Sequence, residues 1–328
     1  MRAALIASGL ALPAHRITIN LADIKGQESA KRALEIAAAG GHNLLMVGPL
    51  SAGKSMRARL PSILPPLAPS ELLEVSMVAS VAGEGGALTG DLFARRIIPP
   101  ACPLWRRRLA CAAGRGVACP SRRFVSRRAA GIPAAGARFA APAAETGEVS
   151  IARANHRVTY PARFMLVAAM NPCRCGKVSE PCFASRRGPN TCCAAYQARI
   201  SGPLIDRIDL HIEVPAVTAD LILPPPAESS REVGARVALA RERQIARYAA
   251  IGLSHIRSNA VVSGAMLEDV ARPDGGGPIA RSGRCDAALG YHRVLRVDRT
   301  LADLEVGRVH VVEALSYRAL TDGIRRAA

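Results

Sequence analysis

The chain has 328 residues, enough for two domains, and is 49% hydrophobic but only 3% aromatic, so Ala, Leu, Val and Ile must form its core. Its net charge of +18 points to a polyanionic partner, yet eleven arginines lie in residues 92–144, an interval without Asp, Glu or Lys, and without them the charge is +7. No apolar run reaches the roughly eighteen residues of a membrane span, the opening MRAALIASGLALPAHR lacks a clear basic leader, and nine Cys with Cys192 and Cys193 adjacent do not form a secreted disulfide framework, so a cytoplasmic protein is expected.

In chain order, GQESAKRALEIAAAGG at 26–41 has helical spacing and a glycine stop. A short buried strand at 43–47 follows, and then GPLSAGKS at 48–55 matches G-x-x-x-x-G-K-[ST]. KSMRARLPSIL can open a helix whose positive end faces an anion. Residues 96–144 show neither alternation nor a helical stripe; mistranslation from a changed reading frame, a disordered basic insertion and a structured insertion all remain open. GEVSIARANHRVTYPARFMLVAAMNP at 147–172 reads as a hairpin leading into a buried strand at 164–170, and ISGPLIDRIDLHIEVP at 200–215 as a helix end, a turn and another strand. TADLILPPPAESS at 218–230 marks a boundary, after which REVGARVALARERQIARYAA, GYHRVLRVDRTLADL and VHVVEALSYRA read as helices, with a glycine-rich linker at 271–290. The fold class is α/β: a parallel sheet around a phosphate loop, with a C-terminal helical lid.

The chemistry begins at that loop. Gly48, Pro49, Leu50, Ser51, Ala52, Gly53, Lys54 and Ser55 form the nucleotide cradle: the glycines let successive N–H groups face phosphates, Lys54 reaches the β/γ-phosphates, and Ser55 offers a hydroxyl to Mg²⁺. ATP and Mg²⁺ are the expected ligands. Asn171 closes the strand FMLVAAMN, where it can face the γ-phosphate or an attacking water, or simply form an Asn-Pro turn with Pro172. Cys173, Cys175, Cys182, Cys192 and Cys193 have a spacing unlike paired zinc knuckles, leaving structural zinc and free thiols as alternatives. Cys102, Cys111 and Cys119 belong to the irregular block. Arg153, His156 and Arg157 on the hairpin are candidates for DNA backbone contact, against a solvated polar hairpin.

GQESAKRALEIAAAGGHNLLMVGP, TYPARFMLVAAMNPCRCG, RISGPLIDRIDLHIEVP and GYHRVLRVDRTLADL together resemble the bacterial magnesium-chelatase-like AAA+ ATPases of the competence-linked type. The resemblance covers nearly all of residues 18–325 outside the middle block. It implies an AAA+ core at 23–220, a helical lid at 221–328, and a remnant of the family's Lon-like N-terminal domain at 1–22. It also implies that Asn171 is the first sensor and Arg207 an arginine finger presented to a neighbouring subunit; a surface salt bridge of Arg207 with Asp206 or Asp209 is the plainer alternative. The family is understood to act as hexameric motors promoting branch migration on DNA.

The departures bear on function. The irregular block replaces the family's histidine-containing segment and its hydrophobic run ending in Asp-Glu, and no acid lies between Asp91 and Glu145. AlaAlaLeu at 287–289 puts Leu289 where a sensor arginine is expected. The expectation is an ATP-binding AAA+ protein related to DNA motors and impaired in hydrolysis, with the assembly of the family's homo-hexamer left open. The alternatives are a basic DNA-binding protein with a regulatory nucleotide site, or an active ATPase using a relocated carboxylate such as Glu145 or Glu148.

Overall fold

The computed structural model describes residues 27–49, 52, 54, 60–69, 71, 73, 123–126, 148–153, 156–161, 165–172, 202–215, 228–262, 265–271, 288–305 and 311–318. The leading segment 1–22, the proline run at 218–227 and most of the glycine-rich linker lie outside them, as do all nine cysteines.

Helix α1 spans Glu28–Gly40 and is buried on almost every side, which its alanines permit because small side chains allow neighbours to approach closely. It stops as the sequence predicts. Gly41 takes φ 76° and its N–H returns to Ala37 O at 2.9 Å, a left-handed cap that glycine adopts without steric cost. A Cβ on Gly40 would overlap the His42 ring and Thr300 Oγ1, so this end of α1 accepts no larger residue.

Strand β1, Leu44–Val47, follows directly. It lies inside a four-stranded sheet with β2 (Arg123–Ser126), β5 (Met165–Met170) and β6 (Leu210–Glu213) in the order β2-β5-β1-β6. All three pairings are parallel, with Leu44 level with Val167 on one side and Leu210 on the other. Continuous burial along β1 and β5 explains why their sequences are unbroken apolar runs. The hairpin is also present: β3 (Glu148–Arg153) and β4 (His156–Pro161) pair antiparallel as a separate ribbon. Strand β2 departs from the sequence reading, because it lies within the block that shows no period. Its Phe-Val centre suits a strand, and the open edge of β5 supplies the ladder partner.

A short helix α2, Gly202–Asp206, enters β6 through the turn Arg207–Asp209. Helix α3, Ser230–Ala250, begins with a complete capping box in which Ser229 and Glu232 exchange side-chain and backbone bonds. A 3₁₀ turn (Asn259–Val261), α4 (Ala265–Ala271), α5 (Ala288–Leu304) and α6 (Val311–Ser316) complete the described elements. Val233 and Val237 of α3, Val294, Val297 and Leu301 of α5 and Ala314 of α6 share one hydrophobic cluster with Leu34 of α1 and Leu44 and Met46 of β1. A smaller cluster of Tyr248, Ile256, Val262, Leu267 and Leu295 fastens α4 to α3 and α5. Among the described residues, no helix is long and apolar enough to cross a membrane.

Candidate functional site

Three parallel strands carry the phosphate loop to the C-terminal edge of the sheet. Val47 O accepts from Val214 N at 2.7 Å on one side, and Gly48 N–H donates to Met170 O at 3.2 Å on the other. Gly48 must be glycine here, since a Cβ would run into the backbone carbonyl of Val214. Asn171 immediately follows Met170 and is half-buried, so its backbone stands beside the start of the loop.

Lys54 folds back over the loop. Its ammonium donates to Gly48 O at 2.7 Å and to Pro49 O. Both acceptors are neutral carbonyls, and an anionic phosphate at the loop is a stronger partner for the same ammonium. Gln27, missed in the sequence reading, secures the other wall: its Nε2 donates to Ala52 O at 2.8 Å and to Pro215 O at 3.3 Å. It sits in a left-handed conformation, φ 60°, just before α1, and its buried Oε1 has no hydrogen-bond partner. The only sequence signal was a polar residue ahead of a helix; its tie to Pro215 lies 188 positions away.

The glycine that tolerates no Cβ and the ammonium folded onto the loop carbonyls are what the structure places at this loop. Leu50, Ser51, Gly53 and Ser55 lie outside the described residues, as do Glu145 and the five candidate zinc cysteines. Among the described residues, no group of three or more His, Cys, Asp or Glu is placed to hold a metal.

Arg207 is at the opposite edge of the sheet, beside the N-terminal ends of β1 and β6. Its carbonyl accepts from Asn43 Nδ2 at 3.2 Å and from Arg293 Nη1 at 3.0 Å. The structure thus brings Asn171 to the phosphate loop and keeps Arg207 a full strand length away from it. Asp209 is not the salt-bridge partner of Arg207. Its carboxylate is taken by Arg293 at 2.8 Å and by the Asn43 N–H at 2.9 Å, because α5 delivers a guanidinium into the same corner. Although burial opposes it, Arg293 and then His42 hold the Asp209 carboxyl below its usual range.

His42 is fully buried behind this corner. Its Nε2 meets Thr300 Oγ1 at 2.7 Å, and Nδ1 stands 3.9 Å from Asp209 without a hydrogen bond. Burial pushes its pKa down to about 4, against the pull of Asp209. His211 on β6 is pushed down to about 3, again chiefly by burial, with Arg318 adding to it.

In the hairpin, Arg153 is level with His156, and Ala152 with Arg157, so the cationic positions gather where β3 and β4 meet. The side chains of Glu148, Arg153, His156, Arg157 and Leu289 are outside the described set. The helical position of Leu289 falls in the first turn of α5, one turn before Arg293.

Comparison with known proteins gives a consistent picture. The profile of magnesium chelatase, subunit ChlI, matches residues 20–97 and 141–222, and that of its C-terminal part matches 227–318. The unmatched interval falls inside the arginine-rich block. An uncharacterized protein of Mycobacterium tuberculosis is 37% identical over 91% of this chain and 61% of its own length. The competence protein ComM of Haemophilus influenzae and the uncharacterized protein YifB of Escherichia coli are each 34% identical over 92% of this chain and 60% of their own lengths. The chain therefore spans about three-fifths of the length of these relatives.

Proposed function

Because the chain belongs to the magnesium chelatase ChlI-like family of AAA+ proteins, we propose that it binds Mg-ATP at Gly48–Ser55 and is related to motors that act on DNA, with hydrolysis impaired. The observation that carries the binding half is the Lys54 ammonium folded onto the Gly48 carbonyl at the sheet edge beside Asn171. In this reading Lys54 meets the terminal phosphates, the loop N–H groups cradle them, and Ser55 holds the magnesium ion, which neutralises phosphate charge when bound. Asn171 orients the γ-phosphate or water. Arg207, a strand length from its own loop, serves the nucleotide of a second copy.

Impairment rests on β2, which lies next to β5 in the sheet and contributes RFVS, without a carboxylate. The next acid in the chain is Glu145. Leu289 removes a guanidinium from the start of α5, and Arg293 cannot replace it because it is engaged with Asp209. The relation to ComM motivates DNA as the partner, with the cationic end of the β3–β4 hairpin as its contact.

Titration with a fluorescent ATP analogue should show binding that Lys54→Ala abolishes; equal binding by both chains would refute the site. Phosphate release should run at least ~100-fold below that of a relative with an intact acidic pair, the usual cost of losing a positioned electrostatic group. Fast turnover lost in Glu148→Gln would instead establish a relocated carboxylate.

A further inference from the structure

The turn that carries Arg207 is held mostly by residues far from it in sequence. Arg293 of α5 donates through one nitrogen to both Arg207 O, at 3.0 Å, and Asp209 Oδ1, at 2.8 Å. Arg318, just beyond α6, donates to Ile208 O at 3.3 Å. Asn43, the last residue before β1, binds Arg207 O through its side chain and Asp209 through its backbone N–H. Its own Oδ1 is fixed in turn by Leu166 N–H of β5 at 2.7 Å. Two consecutive carbonyls of the turn are thus capped by Arg293 of α5 and by Arg318 just beyond α6, and the third residue supplies the carboxylate that fixes Arg293.

Ile208 and Asp209 are each 2% exposed, so the polar groups of the turn cannot be left to water, and charged donors hold its carbonyls. Asp209 is 2% exposed and its acceptors are matched on both sides, so the turn cannot rotate without breaking a buried ion pair. Helix α5 also carries Val294, Val297 and Leu301 into the main hydrophobic cluster, so a shift of α5 carries the guanidinium with it.

We propose that Arg293 is a positioning residue for Arg207: through Asp209 and the Arg207 carbonyl, it makes the orientation of the arginine offered to a neighbouring copy depend on where the chain's own C-terminal helices sit. The proposal rests on the reading above that Arg207 acts on a second copy's nucleotide. Asn43 supplies a fixed reference on the sheet, and Arg293 the movable part.

Sedimentation of the full chain with Mg-ATPγS, with Mg-ADP and without nucleotide tests both ideas, alongside nucleotide affinity measured on dilute monomer. Wild type should self-associate more strongly with ATPγS than with ADP, and Arg207→Ala should erase that preference. Arg293→Met should reduce it at least tenfold while monomer nucleotide affinity stays within about twofold. Arg293→Lys, which keeps a positive charge facing Asp209, should recover more of it than Arg293→Met does. A normal ATPγS preference in Arg293→Met, with Arg207→Ala defective, would overturn the proposal and leave the role of Arg207 standing. A normal preference in both, or a wild type that stays monomeric, would remove the trans-acting role itself. Arg293→Gln repeats the comparison should the Met variant fail to fold, and unfolding of both would assign Arg293 a purely structural role.

Discussion

Gly48, His42 and His211 each put a specific demand on this molecule. Gly48→Ala places a methyl group against the Val214 carbonyl, a backbone group with no flexible end to yield. The substitution should abolish nucleotide binding and lower the melting temperature, both readable in one thermal-shift titration. His42 and His211 have folded pKa values of about 4 and about 3 against an ordinary 6.5. The unfolded chain therefore binds more protons below pH ~6.5, and the stability present above that value is lost as pH falls toward the folded values. Each histidine should remove about 3 kcal/mol by pH ~4. Urea unfolding at stepped pH checks this, and His42→Gln, which keeps a donor for Thr300, should cut the acid slope by about one proton. Burial is what creates both shifts, and nothing in the local sequence around either residue announced it.

At the scale of elements, legibility followed how locally each element is determined. The stop of α1 at Gly41 and the start of α3 at Ser229 are written in adjacent residues, and both were readable. Ser229→Ala should cost about 1 kcal/mol, the usual value of an N-cap, and appear as a lower urea midpoint with an unchanged slope. Strands β1 and β5 were readable because parallel strands buried on both faces leave continuous apolar runs. Strand β2 was not. Four residues, RFVS, sit amid Arg, Ala and Pro, and it is the unpaired edge of β5 that recruits them. The same logic hid the corner behind Arg207, since Arg293 and Asp209 meet across 84 positions. The phosphate loop was legible as a motif. The roles of Gln27 and Asn43, which depend on distant carbonyls and N–H groups, were not.

For the whole molecule, the excess charge is a property of one block more than of the fold. Replacing Arg106, Arg107 and Arg108 with Gln should weaken DNA binding equally for every sequence and reduce the log–log salt slope by up to ~3, since each phosphate contact contributes about 0.9. Filter binding across a salt series measures it; loss confined to particular sequences would mean that the block reads bases. The central position of β1 has a further consequence, in time. Asn43, at its mouth, waits for Leu166 across 123 positions and for Asp209 across 166. At about 5–20 residues per second of synthesis, the second partner of β1 emerges on the order of ten seconds or more after β1 itself. Until β5 emerges Leu-Leu-Met-Val is an apolar strand with two open sides, and until β6 emerges one side stays open, while closing loops of that size slows its capture. Nascent chains stalled before residue 165 should therefore be the form most readily bound by chaperones, and release past residue 213 should end that interval.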